Sequence, residues 1–335
     1  MSPKLLIKLE KDTFSKNILD ENDPNFVLRG KLIFIPSSSV KVQCINLAFR
    51  GKLSINKGFQ STRKVVFNHR WDFLQQNYKS VLFDAKEYVY EFELPLPYDL
   101  PESVDADYAT IQYSLRAMVE TPFFGSNLRA DKVVYIRQNT DNFVTMLYNT
   151  RIENSWKDIL AYEVIIPSHE YVPGDSIPIT FKHRAQNSDC IPISVWAGLD
   201  ERTTYRISEG SSAENVSTAT KWLKANHANV AQDPTTTSLL LEIPKSTKNV
   251  HYNCTTAYVE VTHYISTRIE VRFEGVIKSI RAVLPICIVR NISSNNPAVA
   301  PIDALPDYHM IQSDMPPNYR NRQSIPPDYS LVIGV

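Results

Sequence analysis

The sequence predicts an all-β chain: two antiparallel β-sandwiches in tandem, followed by a disordered proline-rich tail. Three observations carry that prediction. Apolar residues recur with a period of two rather than 3.6, turn signals separate many short runs, and the alternation stops after Val289. The size agrees, because 335 residues with 43% apolar content have room for two hydrophobic cores.

Taken in order, residues 5–9, 28–34 and 40–49 are short strand-like runs, the second preceded by the turn signal Asn22-Asp-Pro-Asn25. Tyr88, Tyr90, Phe92 and Leu94 alternate with Val89, Glu91 and Glu93 until Pro95 and Pro97 remove backbone donors and stop the pairing. In 110–120 the residues Ile111, Tyr113, Leu115, Ala117 and Val119 share one face and Gln112, Ser114, Arg116 and Glu120 take the other, which is a half-buried strand. A polar stretch, Arg137-Gln-Asn-Thr-Asp-Asn142, then marks a domain joint. Strands resume at 162–166, 177–181, 191–199, 239–243, 258–265, 268–274 and 280–289, with a turn at Val172-Pro-Gly-Asp175. Residues 212–226 fit a short helix or an inter-strand loop equally well. The expected organisation is a first sandwich over 1–140, a connection over 141–160, a second sandwich over 161–291 and a tail over 292–335. The stretch from 291 holds seven of the 21 prolines and almost no alternation.

Composition excludes several functions. The nine glycines never fall within five residues of one another, which removes the dinucleotide and phosphate-binding glycine loops and the nucleophile elbow. Cys44, Cys190, Cys254 and Cys287 are scattered singly and read as small apolar core residues, with no metal site or disulfide framework. His169, His251 and His263 invite acid/base roles, but no partner spacing fixes a geometry, and His263 shares a strand face with Val259, Val261 and Ile265 as a core histidine does. Thirty-six basic against 36 acidic residues leave no field for nucleic acid, and Arg63-Lys64 and Lys245 to Lys248 read as solvated loop charge. No catalytic residue, metal or cofactor is predicted. Charge interrupts the apolar start too soon for a signal segment, so the cytosol is the expected location.

The sharpest signals lie in the tail. Pro316-Pro317-Asn318-Tyr319 and Pro326-Pro327-Asp328-Tyr329 are two copies of PPxY, and Leu305-Pro306-Asp307-Tyr308 is a weaker version. At the tail's own composition roughly 0.07 copies are expected by chance, so two are not incidental. Paired prolines hold the backbone near polyproline II, and such a segment loses little entropy on docking in the aromatic groove of a WW domain. Pro316, Pro317, Tyr319, Pro326, Pro327 and Tyr329 are therefore the predicted WW-binding residues, with Leu305, Pro306 and Tyr308 as a weaker candidate.

In the body, four segments resemble one family. Tyr90-Glu-Phe-Glu-Leu-Pro-Leu-Pro-Tyr-Asp-Leu-Pro-Glu102 followed by the strand 109–120 is similar to an arrestin amino-terminal sandwich. Tyr171-Val-Pro-Gly-Asp-Ser-Ile-Pro-Ile-Thr180, Val195-Trp-Ala-Gly-Leu-Asp-Glu-Arg-Thr-Thr-Tyr205 and Tyr258-Val-Glu-Val-Thr-His-Tyr-Ile265 are similar to a carboxyl-terminal one. Their order, with a PPxY tail behind them, resembles the fungal α-arrestins, or arrestin-related trafficking adaptors. The resemblance implies tandem immunoglobulin-like sandwiches in a non-enzymatic cytoplasmic adaptor. It also implies recruitment of a WW-domain HECT-type ubiquitin ligase to cytosolic segments of membrane transporters or receptors, at the plasma membrane or endosomes. An arrestin-fold, retromer-like sorting-coat subunit is the alternative. No residue is assigned to the phosphate-sensing polar core of visual-type arrestins.

Overall fold

The computed structural model describes residues 2–17, 26–57, 60–75, 80–122, 127–139, 150–206, 216–230 and 236–290. Among them are 21 strands and no helix. The first half contributes β1 (Lys4–Leu9), β2 (Thr13–Asn17), β3 (Val27–Ile35), β4 (Val40–Val42), β5 (Cys44–Lys57), β6 (Gln60–Leu74), β7 (Val81–Phe83), β8 (Tyr88–Pro95), β9 (Val104–Ala106), β10 (Ala109–Glu120) and β11 (Leu128–Asn139). The second contributes β12 (Arg151–Trp156), β13 (Leu160–Ile165), β14 (Glu170–Tyr171), β15 (Ser176–Ala185), β16 (Ile191–Arg206), β17 (Val216–Asn229), β18 (Thr236–Glu242), β19 (Cys254–Thr255), β20 (Val259–Phe273) and β21 (Val276–Ile288).

In the first sandwich the sheet β1-β3-β8 faces a larger sheet ordered β2-β11-β10-β5-β6, with β9 beside β10 and a small β4-β7 ribbon. In the second, β12-β13-β15-β18 faces β14-β21-β20-β16-β17, with β19 beside β20. The period-two pattern accounts for the layers. On β10 the inward residues Ile111, Tyr113, Leu115, Ala117 and Val119 are all buried, because strands β5 and β11 pair with it on both sides and the small sheet covers its face. The Tyr113 hydroxyl reaches the interior boundary and donates to the Pro101 carbonyl at 2.7 Å. On β20 the residues Val259, Val261, His263, Ile265, Ile269 and Val271 are buried, so the runs at 258–265 and 268–274 join in one 15-residue strand. That strand reverses into β21 at Glu274-Gly275, whose φ values of 50° and 77° are those of a two-residue type I′ hairpin.

Three departures from the sequence reading have one cause. Residues 212–226 do not carry a helix over the part described; from Val216 they belong to β17, whose Thr, Lys and Ala residues alternate weakly because it is the outermost strand of its sheet. The ladder to β16 holds it in place. The long strand β6, at the corresponding edge position in the first sandwich, is likewise absent from the sequence reading. Arg151–Trp156, inside the stretch read as a connection, pairs with β13 at the rim of the second sandwich, and Trp156 packs on its core. Edge strands meet water on more sides, so hydrophobic patterning weakens there.

All four cysteines are buried and free, and burial pushes the Cys254 and Cys287 thiols up to about 12, which leaves them inert at neutral pH. The first core also includes Tyr205, Cys254, Tyr258, Val259 and Val261 from the second half. Residues 1–290 consequently form one compact unit with a packed seam between the sandwiches.

Candidate functional site

The predicted WW-binding residues Pro316, Pro317, Tyr319, Pro326, Pro327 and Tyr329, and the weaker Leu305, Pro306 and Tyr308, lie outside the described residues. The body offers two kinds of polar arrangement: a seam whose charges are paired with one another, and sheet faces whose charges are partly open.

At the seam, Glu201 projects inward from β16 and is almost fully buried. Its carboxylate accepts the His251 backbone N–H at 2.8 Å and contacts His251 Nδ1 at 2.6 Å and His263 Nε2 at 3.2 Å. His263 places Nδ1 2.6 Å from Asn253 Oδ1, which also accepts the Ile288 N–H at 2.7 Å. Burial alone would push the Glu201 carboxyl up, but the donors from His251 and His263 overrule it and hold it well below the usual carboxylate range. His263 is thus a satisfied core histidine, as its strand face indicates. The first sandwich closes the cluster with Asp107, which meets Lys221 at 3.0 Å and His251 Nε2 at 3.5 Å.

A second group ties the other end of the seam. Lys16 Nζ donates to the carbonyls of Leu100 at 2.8 Å and Tyr98 at 3.3 Å, and Glu102 stands 3.8 Å from Arg290. Burial pushes the Glu102 carboxyl up against the pull of Arg290, so this acid is held less comfortably than Glu201. Lys64, read from the sequence as loop charge, instead crosses the seam and donates to the Tyr258 hydroxyl at 2.9 Å. Among the described residues, no group of three or more His, Cys, Asp or Glu is placed to hold a metal ion. What the seam does chemically is fix one sandwich against the other.

The outer face of the large first sheet is different. Arg50 and Lys52 on β5, Arg70 on β6, Arg116 on β10 and Arg129 on β11 all point to solvent around a cavity of about 260 Å³. Asp72 neutralises Arg70 at 2.7 Å and Asp131 neutralises Arg116 at 2.6 Å, while Arg50 donates to Asn68 at 2.8 Å. Lys52 and Arg129 have no acidic partner among the described residues. Such a surface attracts anionic segments. It is missed by looking for runs of basic residues, since its members come from four strands; only the outward positions combined with the strand register reveal it.

Known proteins place this architecture. Residues 19–142 match the arrestin (or S-antigen) N-terminal domain and residues 156–292 match the arrestin (or S-antigen) C-terminal domain. Arrestin-related trafficking adapter 3 of Saccharomyces cerevisiae is 34% identical over 128 residues, covering 38% of this chain and 11% of that protein. An arrestin domain-containing protein of Schizosaccharomyces pombe is 22% identical over 293 residues, 82% of this chain and 49% of its own length. A protein of Aspergillus oryzae named as a probable HECT-type ubiquitin ligase-interacting protein, creD, is 23% identical over 328 residues, 88% of this chain and 55% of its own. The chain spans about half the length of these last two relatives. With both arrestin domains in order on two β-sandwiches, and with fungal trafficking adapters among its relatives, the chain belongs to the α-arrestin family.

Proposed function

We propose that the chain is a cytoplasmic, non-catalytic adaptor that brings a HECT-type ubiquitin ligase to membrane transporters or receptors and so promotes their ubiquitination and endocytosis. The observation that carries this reading is the pair of PPxY motifs, Pro316, Pro317, Tyr319 and Pro326, Pro327, Tyr329, behind an α-arrestin body. The names of the creD relatives, as proteins interacting with a HECT-type ubiquitin ligase, support the same partner.

In this mechanism the tail supplies two short docking segments and the body supplies a stable surface for cargo. Each PPxY lays prolines and tyrosine along one side of a polyproline II turn, where a WW groove takes the rings. The two tyrosines are ten positions apart. That separation spans about 31 Å as polyproline II, enough for neighbouring WW domains, and linkage of two sites raises avidity by roughly 10²–10⁴. The open cations of the first sheet favour acidic cytosolic segments, which draws the assembly to the membrane through its cargo. Ubiquitin transfer belongs to the ligase; the adaptor raises the local concentration of target lysines.

The test is capture of a tandem WW protein by the full chain. Tyr319→Ala and Tyr329→Ala should each weaken it, and the double variant should lose at least about tenfold more, as expected when linkage is broken. Undiminished capture by the double variant contradicts the reading and favours a sorting-coat role that needs no ligase.

A further inference from the structure

The outer face of the large second sheet carries an aromatic platform beside two facing arginines, one of which, Arg281, has no acidic partner among the described residues. Trp196 on β16 and Trp222 on β17 meet edge to face, ring centres 5.7 Å apart at 66°. Both rest on Gly198: a Cβ there would overlap the Trp196 ring and come within 3.0 Å of Trp222. The glycine leaves room for both indoles, and Trp222 nevertheless remains 60% exposed. An exposed, rigidly seated tryptophan beside a second one is costly to leave to water unless something covers it.

Next to the platform, Arg268 on β20 stands directly opposite Arg281 on β21. Like charges in that relation repel. Arg268 lies over the Trp196 ring at 5.6 Å, and its buried Nε makes no hydrogen bond, the nearest carboxylate oxygen, of Glu270, being 3.5 Å away. Arg281 is exposed and has no acidic partner among the described residues. The remaining acid of the site, Asp200, is buried and already engaged by Ser266 at 3.2 Å and Arg202 at 3.5 Å. The two indoles and the two arginines line a trough of about 680 Å³ together with Ser266 and the 44% exposed Val283, which pair across β20 and β21.

We propose that this trough binds an extended acidic peptide that lays a proline on the Trp196–Trp222 platform and an Asp or Glu between Arg268 and Arg281. A proline suits this platform, because the indoles fill the space over Gly198 and meet at 66° in an angled aromatic surface that a compact ring can cover. A ring flush with its own backbone stacks on that surface, and a polyproline II segment is already extended. Spacing follows from the sheet. Arg281 lies two strands from Trp196, about 9.6 Å at the usual strand separation, which is about three residues of polyproline II. The recognised pattern is Pro-x-x-Asp/Glu or its reverse. That such a segment belongs to a cargo protein's cytosolic part rests on the adaptor reading; the ligand chemistry rests on the trough alone.

The probe is a synthetic peptide containing Pro-Pro-Ala-Ser-Glu-Glu, titrated into the full chain and followed by tryptophan fluorescence and calorimetry. Binding should fall at least about tenfold with Trp222→Ala or Arg281→Glu, the usual loss for a central aromatic or guanidinium anchor. Replacing the peptide's glutamates by lysines should abolish binding to the native chain and restore it to Arg281→Glu. Both substituted side chains are exposed, and unchanged melting curves of the variants would establish that they fold. No binding by the native chain, or equal binding by both variants, overturns the proposal. Either result would leave WW capture by the tail untouched, so the two readings fail separately.

Discussion

At the seam Glu201 takes donors from both His251 and His263, whereas on the outer face of the first sheet Lys52 and Arg129 meet no carboxylate among the described residues. The same residue types serve opposite ends. A charge withdrawn from water must be paired, so the seam charges are bound to one another and decide how the two sandwiches are held. A charge left in water costs little unpaired, so sheet-face cations remain free for a partner. Stability and binding are therefore assigned to different residues, and substitutions should separate them.

The largest effect is expected at Glu201. Glu201→Ala leaves His251 and His263 facing a void in a buried site and should cost about 3–5 kcal/mol in urea unfolding, the range for breaking one side of a buried ionic cluster. A loss below about 1 kcal/mol would mean that the seam is solvated and the contrast with the sheet faces false. The same carboxyl gives a pH dependence. Its folded value lies below its unfolded one, so its contribution is full above the ordinary carboxylate range and is lost as pH falls towards the folded value. Acidification below about pH 4 should destabilise the native chain more steeply than Glu201→Gln, and parallel curves would remove Glu201 from the linkage.

A smaller loss is expected from Gly198→Ala, about 1–3 kcal/mol, because the new methyl overlaps the Trp196 ring and must displace it. The displacement should also shift tryptophan emission, and an unchanged spectrum would show that the platform is not seated as described. Least of all should stability respond to Lys52→Glu with Arg129→Glu, within about 0.5 kcal/mol by thermal melting. The same double change should nevertheless weaken retention on an immobilised polyglutamate peptide. A large stability loss would make that face part of the fold rather than a docking surface.

How much of this is legible in the sequence follows from burial. Strands covered on one face and paired on both sides, such as β10 and β20, alternate cleanly and can be read residue by residue. Edge strands β6 and β17 cannot, because hydrogen bonding to a neighbour, rather than a buried stripe, holds them. His263 could be read as a core residue from its apolar companions, but its acceptor Glu201 is 62 positions away and comes into contact only through the β16–β20 register. The trough is hidden for the same reason: Trp196, Trp222, Arg268 and Arg281 come from four strands. PPxY motifs are the opposite case, since their chemistry is local and needs no tertiary structure to be recognised.

The division between body and tail is tested most directly in cells that carry Tyr319→Ala and Tyr329→Ala in place of the native chain. The quantity to measure is ubiquitination and surface level of the membrane protein that copurifies with it. An adaptor whose cargo surface and ligase ligand are separate should keep the cargo bound, lose its ubiquitination and leave it at the cell surface, with the melting curve of the chain unchanged. Normal ubiquitination and removal of the cargo in those cells would contradict ligase recruitment through the two tyrosines.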